Sequence, residues 1–552
     1  FREVLAELES KISTAEFLAI DGEFTGLHGT GQDVNAFDTP SQYYSKLRSN
    51  CMDFLLIQFG LCIFKYDEEK NKYTHRAYNF YIFPRGQTRS ASDSRFLCQS
   101  SSIEFLASQG FDFNKLFKEG IPYLTQPEEQ KMRENLEEKH KSEANSENNL
   151  EEPPPPIPIP DQHVSFIEDV CSKIEQFLES SESEELQLDQ CNAFVRKLIY
   201  QEVGKRFDSN KLVLESRISD NKNRILFALR TGSEEVKKRK EKERMERELR
   251  ELEDAIGFTS ITHLNSHNRG KLMIGHNMLL DICHILHQCY FPLPTDYSEF
   301  KELIRCVFPN ILDTKYMSFS SVFKESINSN VLEHLHKTLS EKPFKMFTAE
   351  CEMDGCGYSS VNEKYHEAGY DAYITGLCYI AMANHIGSLQ KPETYPVRSS
   401  SSLLKPYVNK LFLLKVQDSP FINLVGKIAT ELPRNHVFFI SFPKDWKTSD
   451  ITKLFSPFGA VFIAWINESS AFVALYKRDQ ASTVKKTLTK SDTYTLIPYE
   501  AYQKLQDTKA KTRVEYNSGT RKVISCSSLD RNRKRHTIQG DPELSLKRTR
   551  TL

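Results

Sequence analysis

The sequence predicts an α/β protein of several domains: a mixed sheet interrupted by a smaller inserted α/β unit, followed by a ferredoxin-like domain. Three observations lead there. The apolar run Phe17-Leu-Ala-Ile20 reads as a buried strand, and residues 52–83 read as two further strands joined by a polar turn, which gives the sheet an antiparallel portion. Residues 433–500 show the order β-α-β-β-α-β, the ferredoxin-like arrangement. A chain of 552 residues also has room for roughly three or four domains.

In order, the strand from Phe17 runs into Asp21-Gly-Glu23-Phe24. Met52–Tyr66 reads as one long strand, Asp67–Asn71 as the turn, and Tyr73–Phe83 as the returning strand. Ser101-Ser-Ile103-Glu104 has the spacing of a capping box opening a helix that Gly110 closes, and a second helix follows to Gly120. Pro127–Glu152 holds nine Glu against four Lys or Arg and leads into Pro153–Pro156, so it is expected to be a solvated connector with a stiff end. Helical patterns at Val164–Leu178 and Cys191–Phe207, then strands Lys211–Ser216 and Ile225–Arg230, form the inserted unit. There Arg196 and Tyr200 lie one turn apart on a helix face that reads as solvated and basic. Val236–Asp254 is a long charged helix returning the chain to the first domain. A polar stretch His263–Asn268, a strand Lys271–Gly275, a helix carrying Asp281, a strand end at Asp313 and an Ala/Gly/Ile-rich helix opening at Asp371 complete it. The resulting divisions are 1–126 and 236–410 for the split domain, 127–160 linker, 161–235 insert, 411–432 connector, 433–505 ferredoxin-like domain and 506–552 basic tail.

Composition narrows the class. Net charge is −2, and no apolar run reaches the ~18 residues of a membrane span, so no membrane partner is expected. The twelve Cys are scattered without a CxxC pair, which suits reduced thiols in an intracellular protein. Cys283, His284, His287 and Cys289 offer a zinc reading, but their apolar surroundings favour a helix core.

The chemistry concentrates in acids. On a strand, alternation puts Asp21 and Glu23 on one face, where like charges repel and desolvation adds to the cost. A hard divalent cation removes that objection. Asp281 follows Asn277 by four residues, and Asp371 follows His366 by five. Asp-x-Glu, Asn277-x-x-x-Asp281 and His366-x-x-x-x-Asp371 together resemble the three-motif signature of DEDD-type 3′-to-5′ exonucleases, in the histidine variant; Glu stands at 367, where the tyrosine variant carries Tyr. The resemblance implies a ribonuclease-H-like core in which Asp21, Glu23, Asp281 and Asp371 bind two Mg²⁺, with Mn²⁺ able to substitute, and His366 acts as general base.

Beyond the motifs, Phe17–Gly26, Asp53–Tyr66, Cys98–Lys115, Ile274–Asp281, Leu312–Lys315 and His366–Cys378 resemble the poly(A)-specific ribonuclease family, as does the domain order over about residues 1–505. That resemblance implies shortening of mRNA poly(A) tails to 5′-AMP, an R-three-H-type insert, an RNA-recognition domain that interacts with the 5′ cap, a homodimer, and a place in nucleus and cytoplasm. It also places Phe24, Ile103 and Lys315 at the terminal nucleotides, and the cap on Trp465, with Trp446 a secondary candidate. Two positions depart from the family pattern: Tyr200 replaces the His of the R-three-H motif, and Ser470 stands where a second stacking aromatic accompanies Phe438 and Phe472. Arg531–Arg535 and Lys547–Arg550 suit nuclear import or a non-specific RNA contact. Two alternatives stand: a trimmer of small non-coding RNA 3′ ends such as piRNA precursors, and a catalytically silent RNA- or cap-binding regulator.

Overall fold

The computed structural model describes residues 2–27, 29, 34–84, 94–146, 157–180, 183–208, 211–218, 224–230, 234–267, 270–345, 347–352, 357–358, 364–417, 420–426, 433–489 and 491–505. The chain divides into two compact units, residues 1–430 and 431–552. The basic motifs of the tail lie outside the described residues.

In the first unit the chain lays down β1 (Phe17–Phe24), β2 (Leu56–Asp67) and β3 (Lys72–Tyr81). The insert contributes β4 (Glu185–Gln187), β5 (Leu212–Ile218) and β6 (Arg224–Arg230). β7 (Leu272–Gly275), β8 (Ile311–Asp313) and β9 (Glu350–Cys351) then rejoin the first sheet, in the order β8-β7-β1-β2-β3-β9. β1 runs antiparallel to β2 and parallel to β7, as the mixed-sheet expectation requires. β2 starts at Leu56 rather than Met52, because Leu55 and Thr25 tie the turn before it through Thr25 N–H to Leu55 O (2.9 Å) and Leu55 N–H to Thr25 Oγ1 (2.9 Å).

Both faces of this sheet are covered, so β2 is buried from Leu56 to Phe64 and reads as an unbroken apolar run. Phe17, Ala19, Cys62 and Phe64 face the helix Ala368–Ser388, whose small residues let it lie close. Leu18, Ile20, Phe59 and Leu61 face the helices Leu279–Cys289 and Tyr297–Val307. Cys283, His284 and Cys289 are core residues of that layer, each no more than 1% exposed.

Several expectations are corrected. The acidic connector is a helix over Gln126–Ser146. It pairs antiparallel with the charged helix Glu234–Ile256: Glu248 takes His140 at 2.6 Å and Lys139 beside it, while Tyr123 bridges Gly257 at the other end. A polar sequence without an apolar stripe is thus held helical by ion pairs to a partner about a hundred positions away in the chain. Residues 147–156, with the proline run, lie outside the described residues. Of the polar stretch 263–268, residues 263–267 belong to the helix Phe258–His267. Within the 411–432 connector, β10 (Lys410–Phe412) and β11 (Phe421–Asn423) form a hairpin whose Leu411, Leu413, Ile422 and Leu424 join the core on the Leu279–Cys289 side of the first sheet.

The capping box at Ser101 does not form. The helix is Ser100–Ser108, opened by Gln99, whose N–H donates to Thr25 O and whose Oε1 accepts from Leu27 N–H. That tie fixes the start of the helix one residue before Ser101.

The insert has its own core, in which Ile167, Val170, Ile174, Val195, Leu198, Leu226 and Ala228 pack two helices on the sheet β4-β6-β5. Arg196 spends its guanidinium on main chain, at 2.5 Å from Cys191 O, so it is not a free solvated cation; Tyr200 is 43% exposed.

The second unit is the β-α-β-β-α-β arrangement: β12 (Val437–Ser441), helix Thr448–Phe455, β13 (Val461–Asn467), β14 (Ser470–Leu475), helix Ala481–Leu488 and β15 (Thr495–Pro498), with sheet order β13-β14-β12-β15. Phe438 points into the helix-side core with Ile440 and Val473, so it is not a surface aromatic. The opposite sheet face carries Phe439 and Phe472, and both lie under residues that follow β15. Tyr502 stacks on Phe439 at 4.4 Å and meets Phe472 edge-on at 5.1 Å, and Tyr499 lies 5.4 Å from Phe472. Among the described residues no helix is long and apolar enough to cross a membrane.

Candidate active site

Asp21 and Glu23 sit at the C-terminal end of β1 and face the same side as Phe17 and Ala19. Across the strands, Asp21 pairs with Gly60, which pairs in turn with Asn79, and Glu23 pairs with Gln58, which pairs in turn with Tyr81. Asp371 arrives from the helix over that face. Asp281 arrives from the helix on the other face, and the lack of a side chain at Gly22 admits it: a Cβ there would lie 2.8 Å from Asp281 Oδ1. Two helices on opposite faces therefore bring acids to one strand end.

His366 occupies the loop before the Asp371 helix with φ +70°, a left-handed conformation uncommon outside glycine, and its N–H donates to Asp371 Oδ2 at 2.9 Å. The ring meets Phe105 edge-on, with centroids 4.7 Å apart. Asn277, also left-handed at φ +61°, opens the turn into the Asp281 helix. Its N–H donates to Asp313 Oδ1 at 2.9 Å, and Asp313 further accepts from Lys315 N–H and Phe412 N–H.

Burial, then the neighbouring Asp371 and Asp281 carboxylates, push Asp21 and Glu23 well above the carboxylate range. Asp281 is pushed up to about 7 by burial and by Asp313. Asp371 is also pushed up to about 7 by burial, against the stabilising His366 N–H. Burial lowers His366, so its imidazole is neutral near pH 7. Four acids that resist ionisation together, at one place, lack a positive charge. Asp281 Oδ1 is buried without a hydrogen-bond partner, and one ligand atom each from Glu23, His366 and Asp371 lies within 4.8 Å of the others. A hard divalent cation fits this donor set and answers both features.

The other named residues divide. Phe24 is 9% exposed and packs on the His284 ring at 4.8 Å, so it belongs mainly to the core. Ile103 is half-buried on the helix whose Phe105 touches His366. Lys315 is half-buried, with its ammonium 5.6 Å from the Phe412 ring, and burial lowers its pKa. In the second unit, Trp465 is 42% exposed and edge-on to Phe442 at 5.3 Å, whereas Trp446 lies flat on the same Phe442 at 5.5 Å. Gln58, Gly60, Asn79 and Phe105 are not singled out by the sequence, and Asp313 is read there only as a strand end within the Leu312–Lys315 stretch. Only cross-strand register and tertiary contact give them a place at the site.

A cluster of strand-borne and helix-borne carboxylates with a histidine beside it, on a mixed sheet covered on both faces, offers the donor set of a divalent-metal centre, the kind that metal-dependent nucleases use. The chain belongs to the CAF1 family of ribonucleases, whose family model matches residues 1–379; a model described as an RNA binding domain matches residues 429–505. It is 45% identical over 511 residues to the poly(A)-specific ribonuclease PARN of Homo sapiens, spanning 91% of this chain and 79% of that one. To the Xenopus laevis protein of the same name it is 41% identical, over 93% and 82% of the two chains. A pre-piRNA 3′-exonuclease trimmer of Bombyx mori is 26% identical, over 91% and 92%.

Proposed function

We propose that the protein is a 3′-to-5′ exoribonuclease that shortens poly(A) tails, releases 5′-AMP and uses two Mg²⁺ ions, which Mn²⁺ can replace. The observation that carries the reading is the convergence of Asp21, Glu23, Asp281 and Asp371 with an unpartnered Asp281 oxygen, in a chain 41–45% identical to poly(A)-specific ribonucleases. Those four acids would hold the ions, which supply acidity to the attacking water and neutralise charge developing at phosphorus. His366, neutral and exposed at the mouth of the cluster, takes the proton from that water on a ring nitrogen. Its left-handed backbone and the Phe105 edge set the direction of the ring. Ile103 and Lys315 flank the path of the 3′ end, Lys315 toward phosphate.

In the second unit, cap stacking falls to Trp465, whose exposed indole has a free face, rather than to Trp446, already stacked on Phe442. The covered sheet face supports the same choice, because Tyr499 and Tyr502 occupy the surface on which a single strand stacks in such domains. The reading includes a homodimer, tested by light scattering, and residence in nucleus and cytoplasm, tested by imaging.

The deciding experiment follows a 5′-labelled, capped RNA ending in A, with matched U and C tails, in Mg²⁺ and in EDTA, for the protein and for Asp21→Ala. Stepwise Mg²⁺-dependent loss of the A tail alone, abolished by Asp21→Ala, is the expected result. Equal trimming of all tails would replace the poly(A) reading with 3′ trimming of other RNAs, the Bombyx mori relative being named a pre-piRNA 3′-exonuclease trimmer. No trimming, with cap binding retained, would leave a silent regulator.

A further inference from the structure

The helix that carries Asp371 begins without a cap of its own: Glu367 at its N-cap position makes no side-chain capping hydrogen bond. Its first N–H groups are instead met from below, by amides of the sheet. Gln58 Oε1 accepts from Ala368 N–H at 3.0 Å, and Asn79 Oδ1 accepts from Gly369 N–H at 2.5 Å. Asn79 Nδ2 also donates to Glu367 Oε1 at 2.6 Å and to Tyr358 Oη at 2.5 Å. Gly60 separates these residues in the sheet, and a Cβ there would lie 2.0 Å from Ala368 O, so the helix end rests directly on the strand.

Register explains why this matters. Gln58 is the cross-strand partner of Glu23, and Gly60 that of Asp21, with Asn79 the next residue in that row. The groups that grip the Asp371 helix therefore stand in the same two rows as the strand acids. From the gripped residues, Asp371 is two positions on and His366 two positions back, linked to each other by the His366 N–H.

We propose that Gln58 and Asn79 are positioning residues for hydrolysis: as caps supplied by β2 and β3, they hold Asp371 and His366 in register with Asp21 and Glu23. The inference rests on assigning those four residues to the reaction. A shift of about 1 Å in a reacting group can cost about a hundredfold in rate. Loss of the Asn79 cap is therefore expected to act on kcat while the RNA path, and so KM, stays in place.

The test compares the unsubstituted protein with Asn79→Leu, Glu367→Gln, the pair Asn79→Asp with Glu367→Gln, and Asp371→Asn. The paired variant keeps an acceptor for Gly369 N–H and reverses donor and acceptor between positions 79 and 367. Expected are a kcat at least tenfold lower for Asn79→Leu with KM within threefold, faster amide exchange at Ala368 and Gly369, and recovery of both in the paired variant. A fast-exchanging helix end with unchanged kcat would overturn the inference. So would a kcat loss that follows global unfolding by circular dichroism, or a paired variant as slow as Asn79→Leu. Full activity in Asp371→Asn would instead sink the underlying site assignment, which separates the two failures.

Discussion

Asp281→Asn should make the protein more stable and inactive together, and the stability gain should grow with pH. Asp281 stands at about 7 instead of 3.8 because burial and Asp313 oppose its charge. The folded state therefore holds a proton that the unfolded state releases above about pH 4, so stability is lost as pH rises from about 4 through about 7. At about 1.36 kcal/mol per pH unit, the loss is about 4 kcal/mol at pH 8 relative to pH 3. Buried His276 and His284, each lowered to about 3, run the other way: their contribution is lost as pH falls below about 6.5. The readable quantity is thus the difference between the unsubstituted protein and Asp281→Asn, in which the histidine contributions cancel. Urea unfolding in EDTA at pH 5, 6, 7 and 8 measures it. The variant should gain from pH 5 to about 7, by about 3 kcal/mol in all, and level off towards pH 8, and saturating Mg²⁺ should reverse the order by stabilising only the protein that keeps the acid. A difference that is flat with pH, or a variant less stable than the parent at pH 8 in EDTA, would refute the picture of an uncompensated acidic cluster.

Gly60→Ala should force the Asp371 helix outward by about 1 Å, since a contact of 2.0 Å against backbone cannot stand, and lower kcat by about a hundredfold; single-turnover trimming of an A-tailed RNA measures it. Trp465→Ala should abolish binding of a cap analogue, read by fluorescence titration, while leaving trimming of uncapped RNA unchanged. Trp446→Ala should keep much of that binding but lower the stability of the second unit by about 1–3 kcal/mol, less than a fully buried aromatic, because the indole is half-buried against Phe442 and Tyr494; thermal unfolding of the full chain should show the affected transition moving down. Removing the Tyr502 ring with Tyr502→Ala should uncover Phe439 and raise the affinity of the second unit for oligo(A), each new base stack contributing about 1–3 kcal/mol.

What the sequence made legible was what chemistry constrains by residue type. Asp21 and Glu23 at a strand end, Asn277 four before Asp281 and His366 five before Asp371 are local spacings, and each sits on the element its pattern implied. The ferredoxin-like order was legible for a similar reason, since each of its elements carries its own apolar period. Gln58 and Asn79 were not legible, because an amide within a strand is ordinary until the register shows a helix end resting above it. Gln126–Ser146 was misread because a helix polar all round has no periodicity of its own, and its partner Glu248 is far along the chain. The family pattern points to Phe438 as the surface aromatic, but the strand presents Phe439 on that face, and a difference of one residue reverses the face of a strand.

The split of the first sheet by the insert also governs how the protein is made. β1 emerges from the ribosome early, but its parallel neighbour β7 begins 248 residues after β1 ends, at Leu272. At about 5–20 residues per second, the edge of β1 waits on the order of 10–50 s for its partner. β2 and β3 can already protect the opposite edge as a local hairpin, while the pairing that brings Asp281 to Asp21 is a late, long-range closure. The antiparallel helices Gln126–Ser146 and Glu234–Ile256 shorten that search. By clasping each other they return the chain to the place it left, so that β7 is delivered beside β1, and the acidic cluster is completed only once the Asp371 helix has also been made.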